Sequence, residues 1–270
     1  MVHRERYLRN LDSLNAEFTP QRIAQCESKL EQLAWSNFYL AYQGQDDREP
    51  QARYGRLLSR IAPSFAPGIK PAVSRQRTTH PRVGLVASIF RRCTAGCYFA
   101  SWARLLAESG CEVHVFQLGP VFDDITDLMS RSAMRLHRIE SGLKALAATL
   151  AASECDLLID PELGMEARLL PIAALRLAPR QACAWGHPVT IGLPTIDAYF
   201  SCAEMEPADA AAHYNERLLL LPGLGTDYLR PTIPEPATRS DLGLPDDKHL
   251  YLLPHALFKL HPDNDAVFAA

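Results

Sequence analysis

No apolar run in this sequence approaches the ~20 residues that a membrane-spanning helix needs. The opening MVHRERYLRNLD carries charges but neither an apolar core nor a small-residue cleavage site, so it is not a signal peptide. An excess of one charge is also missing. The 28 Lys and Arg face 31 Asp and Glu, a net charge of -3 over 270 residues, and a nucleic-acid binder would show a basic face instead. The seven cysteines, Cys26, Cys93, Cys97, Cys111, Cys155, Cys183 and Cys202, are odd in number and lack short regular spacing. That fits reduced thiols in a cytoplasmic protein rather than a disulfide framework or a zinc site; one C-x-x-x-C has no second pair to complete a metal centre. With 47% hydrophobic and 22% charged residues the chain is globular, not disordered.

Several chemical signatures are missing as well. After the apolar run VGLVAS, Gly96 stands alone where a dinucleotide fingerprint needs three glycines. No P-loop, H-E-x-x-H or G-x-S-x-G occurs. Nicotinamide-dependent dehydrogenases and the commonest nucleotide hydrolases, zinc proteases and serine hydrolases are thereby set aside.

What is present has a clear rhythm. Residues 20–61 read as helical, with apolar positions at helix-like intervals from Ile23 to Leu40, Thr19-Pro20 as cap and first turn, and a second helix over 50–61. Pro63, Pro67, Pro71 and Pro81 mark a linker over 63–81. From Arg82 short apolar runs alternate with amphipathic segments. Strands are predicted at 83–88, 112–118, 134–139, 155–160, 181–185, 197–202 and 217–222, and helices near 97–109, 122–133, 142–153, 166–177 and 207–214. Such alternation predicts an α/β fold with right-handed βαβ units and a mostly parallel sheet. The run LLLL predicts a strand buried on both faces. A second Pro-rich linker covers 223–248, after which HLYLLP (249–254) reads as a further strand and HPDNDAVFAA as a helix start. That unit stops at Ala270 before it can bury an apolar face, so the expectation is a truncated chain or a tail docked on the preceding sheet.

Ligands of open parallel sheets bind beyond the carboxyl ends of the strands. This rule singles out SIFRRCTAGC, DPELGM, WGHPVTIG, LPGLG and PHALFK. In WGHPVTIG, Gly186 and Gly192 permit close backbone approach and Pro188 stiffens the loop. His187 could donate to a phosphate or sugar hydroxyl or carry a proton, or it could bond a backbone carbonyl in a strand-exit turn, which spacing alone favours. Asp160 and Glu162 could hold sugar hydroxyls or cap a helix. Lys259, five residues past a predicted strand, suits a diphosphate or is a solvated surface lysine.

Motifs occurring in order carry a resemblance: ALRLAPRQ (174–181), GHPVTIG (186–192), SCAEMEP (201–207), HYNERL (213–218) and LFKLHPDND (257–265). Over residues 80–270 the chain resembles the catalytic region of the O-GlcNAc transferase (SPINDLY-like) family, glycosyltransferase family 41. The resemblance implies a GT-B architecture. Residues 1–62 would be a helical remnant of tetratricopeptide-like repeats, 82–222 the N-terminal Rossmann-like domain, and 249–270 the start of the nucleotide-sugar-binding domain.

It also implies transfer of a sugar from a nucleotide-sugar donor, UDP-GlcNAc foremost, to Ser/Thr of a protein acceptor. That transfer would proceed with inversion and without metal or cofactor; some relatives use GDP-fucose or UDP-glucose. By position, Lys259 would neutralise the donor diphosphate and His255 would face the donor. His187, Pro188, Thr190 and Gly192 would line the sugar-phosphate side, joined by Glu162 and Gly164 of DPELGM. Cys93 stands where the family carries a histidine in a His-Thr-Val-Gly-like loop, with Thr94 and Gly96 retained. A thiol does not relay a proton as an imidazole does. Either another group serves as base, or the chain is a degenerate, non-catalytic module that binds a protein partner. Neither partnership calls for nucleic acid or membrane.

Overall fold

A computed structural model describes residues 2–25, 29–73, 79–140, 142–228 and 233–269. Cys26 and parts of both expected linkers lie outside the described residues. The chain divides into two compact units, residues 1–41 with 45–228, and residues 42–44 with 229–270.

The larger unit is built on seven parallel strands: β1 (Arg82–Ala87), β2 (Glu112–Leu118), β3 (Arg135–Ile139), β4 (Leu157–Asp160), β5 (Arg180–Ala184), β6 (Ala198–Cys202) and β7 (Arg217–Leu221). Their order is β3-β2-β1-β4-β5-β6-β7. All seven predicted strands of this unit are present, each within two residues of the expected ends. The fold is α/β and Rossmann-like, as expected. β1, β2 and β4 are apolar nearly throughout because helices cover both faces.

Helices α4 (Thr94–Glu108), α5 (Asp124–Ser132) and α6 (Leu143–Ser153) supply the crossovers. Asp123 starts α5 through a capping box with Thr126, whose hydroxyl donates to the carbonyl of Phe90 at 2.6 Å and so pins the loop after β1. One face of the sheet packs Val83, Leu85 and Val115 against Phe99 and Met129. The other packs Val86, Phe116 and Leu158 into a core continuous with Leu57, Leu58 and Ile61 of α3 (Arg48–Phe65). The N-terminal helical segment therefore shares a core with the sheet.

Several local expectations are corrected. α1 (Val2–Glu17) precedes the expected helices, and the stretch read as one helix from Ile23 to Leu40 is broken. It comprises α2 (Pro20–Ala24) and 3-10 turns at Leu30–Leu33 and Phe38–Gln43. α3 runs through Pro63 to Phe65; a proline in the last turn blocks little, and Ala66 N–H closes the end on the Pro63 carbonyl at 3.3 Å. The expected helix at 166–177 shrinks to α7 (Leu169–Ala173), stopped where Arg176 adopts φ 50°. The one at 207–214 becomes a 3-10 turn, Ala210–His213. β7 is an edge strand with Leu220 half exposed, because among the described residues no further strand pairs with its outer side.

In the smaller unit, residues 249–254 form no strand and their side chains are exposed. A strand needs a neighbour to bond, and among the described residues none pairs with this run. Short turns at Leu257–Lys259 and Pro262–Asn264 and a single helical turn, α8 (Asp265–Phe268), complete this unit.

Candidate active site at the strand ends

Strand order reverses between β1 and β4, which places the topological switch point, where such sheets bind ligands, at Ser88 and Pro161–Gly164. Glu162 spans it. Its carboxylate accepts from the Ser88 backbone N–H and, at 3.1 Å, from the Ser88 hydroxyl, while its own N–H donates to Asp160 at 3.2 Å. Both carboxyl groups are buried. Burial pushes Glu162 up to about 7, against the lowering effect of the Ser88 bonds. Burial, and then the neighbouring Glu162 charge, raises Asp160 well above the usual carboxylate range. Gln117, at the end of β2, extends the row by donating to the Ser88 carbonyl at 3.1 Å.

Helix α4 begins at the same rim. Cys93 is its N-cap: the sulfur accepts from Gly96 N–H at 3.3 Å and donates to the Ile89 carbonyl at 3.5 Å. A Cβ on Gly96 would stand 2.0 Å from the Arg91 carbonyl oxygen, so the turn requires glycine there. Cys93 is half-buried, and its thiol is engaged as a capping group.

The loop after β5 is tied down from both sides. Gly186 N–H donates to Pro161 at 2.9 Å. His187 is fully buried, and among the described residues neither ring nitrogen has a partner. Phe38 stacks on the imidazole with centroids 5.4 Å apart and planes at 28°. Gly164, at φ 99°, lies so close that a Cβ would stand 2.4 Å from the ring. Ser36 donates to the Gly164 carbonyl, and Tyr199 donates to the His187 carbonyl at 2.5 Å. Burial holds the imidazole down to about 4, so it is neutral at physiological pH.

Pro188 is exposed, whereas Thr190 and Gly192 turn inward. Glu216 gathers them, accepting from the Thr190 hydroxyl at 2.7 Å, Ile191 N–H at 3.1 Å and Gly192 N–H at 2.7 Å. Gly192, at φ 73°, abuts α3. The structure thus commits the polar groups of Thr190 and Gly192 to anchoring the loop. Glu162, Gly164, His187 and Cys93 are gathered at the rim. Lys259 and His255 are exposed on the smaller unit.

The residues that sequence reading missed are Ser88, Ser36, Phe38 and Glu216. Glu216 had a signal within HYNERL and Ser88 had one as the first residue of SIFRRCTAGC, while Ser36 and Phe38 are recognised by what they touch. Among the described residues no cluster of three or more His, Cys, Asp or Glu could hold a metal, and no helix is long and apolar enough to cross a membrane.

No protein-family model and no curated protein matches the chain. Among solved structures it is similar to the Thermobaculum terrenum O-GlcNAc transferase mutant K341M, with a TM-score of 0.55 and 21% identity. The likeness shows the fold. It covers 68% of this chain and 36% of that one, so the chain spans about a third of the neighbour's length.

His187 and Glu162 make opposite contributions to stability. An unfolded chain protonates histidine near 6.5 while folded His187 waits until about 4, so its contribution is lost as pH falls through that window, by about 3 kcal/mol in all. Folded Glu162 keeps its proton to about 7 against 4.5 unfolded, so its contribution is lost as pH rises. In denaturant titrations across pH, His187→Phe should gain stability relative to the parent as pH drops from 6.5 to 4. Glu162→Gln should gain as pH rises from 4.5 to 7. Parallel profiles for parent and variants would contradict the burial argument.

Proposed function

We propose that this protein is a glycosyltransferase of the protein O-GlcNAc transferase type. It transfers a sugar from a nucleotide-sugar donor, UDP-GlcNAc, to Ser/Thr of a protein acceptor, with inversion and without a metal. The observation that carries this reading is the parallel sheet, whose fold is shared with an O-GlcNAc transferase and along which the motifs from ALRLAPRQ to HYNERL run in order. Helix α4 opens at the switch point, where its N-terminal amides favour an anion. Glu162, with a carboxyl poised near neutrality beside Ser88, can hold or release a proton at working pH. Lys259 is assigned to the diphosphate, where a cation stabilises the charge growing on the leaving group.

Calorimetric titration with UDP tests the assignment. Saturable binding is expected, weakened about tenfold or more in Lys259→Ala by loss of a charge-assisted contact. Equal affinity of variant and parent would remove Lys259 from the site.

One observation favours a second reading, a non-catalytic module of the same fold. The Cys93 thiol caps α4, and His187 is sealed from solvent, so neither presents a free base at the rim. If Cys93 is an impairment, Cys93→His should raise sugar transfer; a fully active parent excludes the module.

A further inference from the structure

Sugar transfer to a hydroxyl needs a group at the rim that takes the hydroxyl proton. The Cys93 thiol is engaged in capping α4, and the His187 ring is sealed from solvent. Ser88 is placed differently. It is the first residue after β1, at the switch point, and is partly exposed, whereas Glu162 beside it is buried.

The hydrogen bonds around Ser88 fix which way its hydroxyl works. Its backbone is held twice: the N–H donates to one Glu162 oxygen, and the carbonyl accepts from Gln117 at 3.1 Å. Its hydroxyl donates to the other Glu162 oxygen at 3.1 Å. A serine oxygen carries one hydrogen and two lone pairs. With the hydrogen committed to a carboxylate, Ser88 Oγ offers only lone pairs to an approaching group, and lone pairs select a donor such as a hydroxyl. Glu162 is suited to receive that hydrogen. Burial disfavours its charged form and lifts it to about 7, so it takes a proton readily near neutral pH. The Glu166 charge adds to this rise, although Glu166 is itself paired with Arg168 at 2.7 Å. Of the other groups around Glu162, Ser88 and Gln117 are uncharged, His187 is neutral, and burial disfavours charge on Asp160.

We propose that Ser88 is the catalytic residue that takes the proton of the acceptor hydroxyl and relays its own to Glu162; the assignment rests on the transferase reading above. In the transfer step the acceptor O–H bond breaks and its proton passes to Ser88 Oγ, while the Ser88 proton passes to Glu162 Oε2. The acceptor oxygen bonds the anomeric carbon of the sugar, and the bond from that carbon to the diphosphate oxygen breaks, its electron pair leaving with UDP. Glu162 then returns its proton to solvent through Ser88.

Sugar transfer from UDP-GlcNAc to a Ser/Thr-containing protein, followed as a function of pH, tests the relay, with UDP affinity and urea midpoint measured on the same proteins. The parent kcat should rise with pH and level off above about 7, as Glu162 loses its proton. Glu162→Gln should lower kcat by about 100-fold or more and abolish that rise. Ser88→Ala, which keeps the backbone N–H for Glu162, should lower kcat by about tenfold or more, with UDP affinity within about twofold of the parent. Variants that transfer sugar at the parent rate would overturn the relay and leave the transferase reading standing. So would a loss of rate matched by a loss of UDP affinity and a lower urea midpoint, which marks a structural tie between β1 and β4. A parent that transfers no sugar at any pH would overturn the transferase reading and the relay with it.

Discussion

Gly55→Ala is expected to destabilise the protein by about 3–5 kcal/mol, among the largest effects a single methyl group can have. A Cβ on Gly55 would stand 2.0 Å from the Gly192 carbonyl oxygen and 2.8 Å from Leu193 N, and one on Gly192 would stand 2.3 Å from the Gln51 carbonyl carbon. Two backbones meet there without a side chain between them, so no rotamer change relieves the overlap and α3 must move off the loop. That movement would open the core shared by Leu57, Leu58 and Ile61 with Ile191 and Leu193. The control is Gly68→Ala, where φ is 90° but nothing lies within 4 Å; there the cost is backbone strain alone, about 1 kcal/mol. Urea denaturation of both variants reads the difference. A Gly55→Ala midpoint equal to that of Gly68→Ala would contradict the close approach.

Loss of the Glu216 carboxylate should have an effect of similar size. It is buried and accepts three hydrogen bonds, from a hydroxyl and two successive backbone N–H groups. Glu216→Ala leaves all three donors without this acceptor, at about 1–3 kcal/mol for each that stays buried and unpaired, for a total on the order of 3–5 kcal/mol. Glu216→Gln keeps a carbonyl for Ile191 and Gly192 and an amide that can face the Thr190 oxygen, so it should recover more than half of that loss. If alanine and glutamine prove equally costly, the charge rather than the hydrogen-bond geometry holds the loop.

These two sites show where sequence reading succeeds and where it stops. β1 through β7 were legible because each is a short apolar run bounded by turn residues, and burial on a parallel sheet writes that pattern directly. Residues 249–254 carry the same pattern and form no strand, because a strand requires a partner that composition does not reveal. The single helix read over 23–40 failed for a related reason: Leu30 and Leu40 are buried at helix-like spacing, but on separate turns that drape over the sheet unit. At the site, the strand-end rule found Glu162, Gly164, His187 and Cys93, since loop position follows from strand position. It could not find Phe38 on His187, a contact 149 positions apart in sequence, nor foresee that Thr190 and Gly192 spend their polar groups on Glu216. Such partnerships depend on which helix covers which loop, and that is decided by packing.

Sugar transfer itself is the most direct test. Incubated with UDP-GlcNAc and a panel of Ser/Thr-containing proteins, this protein should add one N-acetylhexosamine to a hydroxyl side chain, detected by mass spectrometry, and release UDP in equal amount. Transfer should persist with a metal chelator present. A protein that binds UDP yet yields neither glycosylated acceptor nor released UDP would contradict the transferase reading and leave the fold without that chemistry.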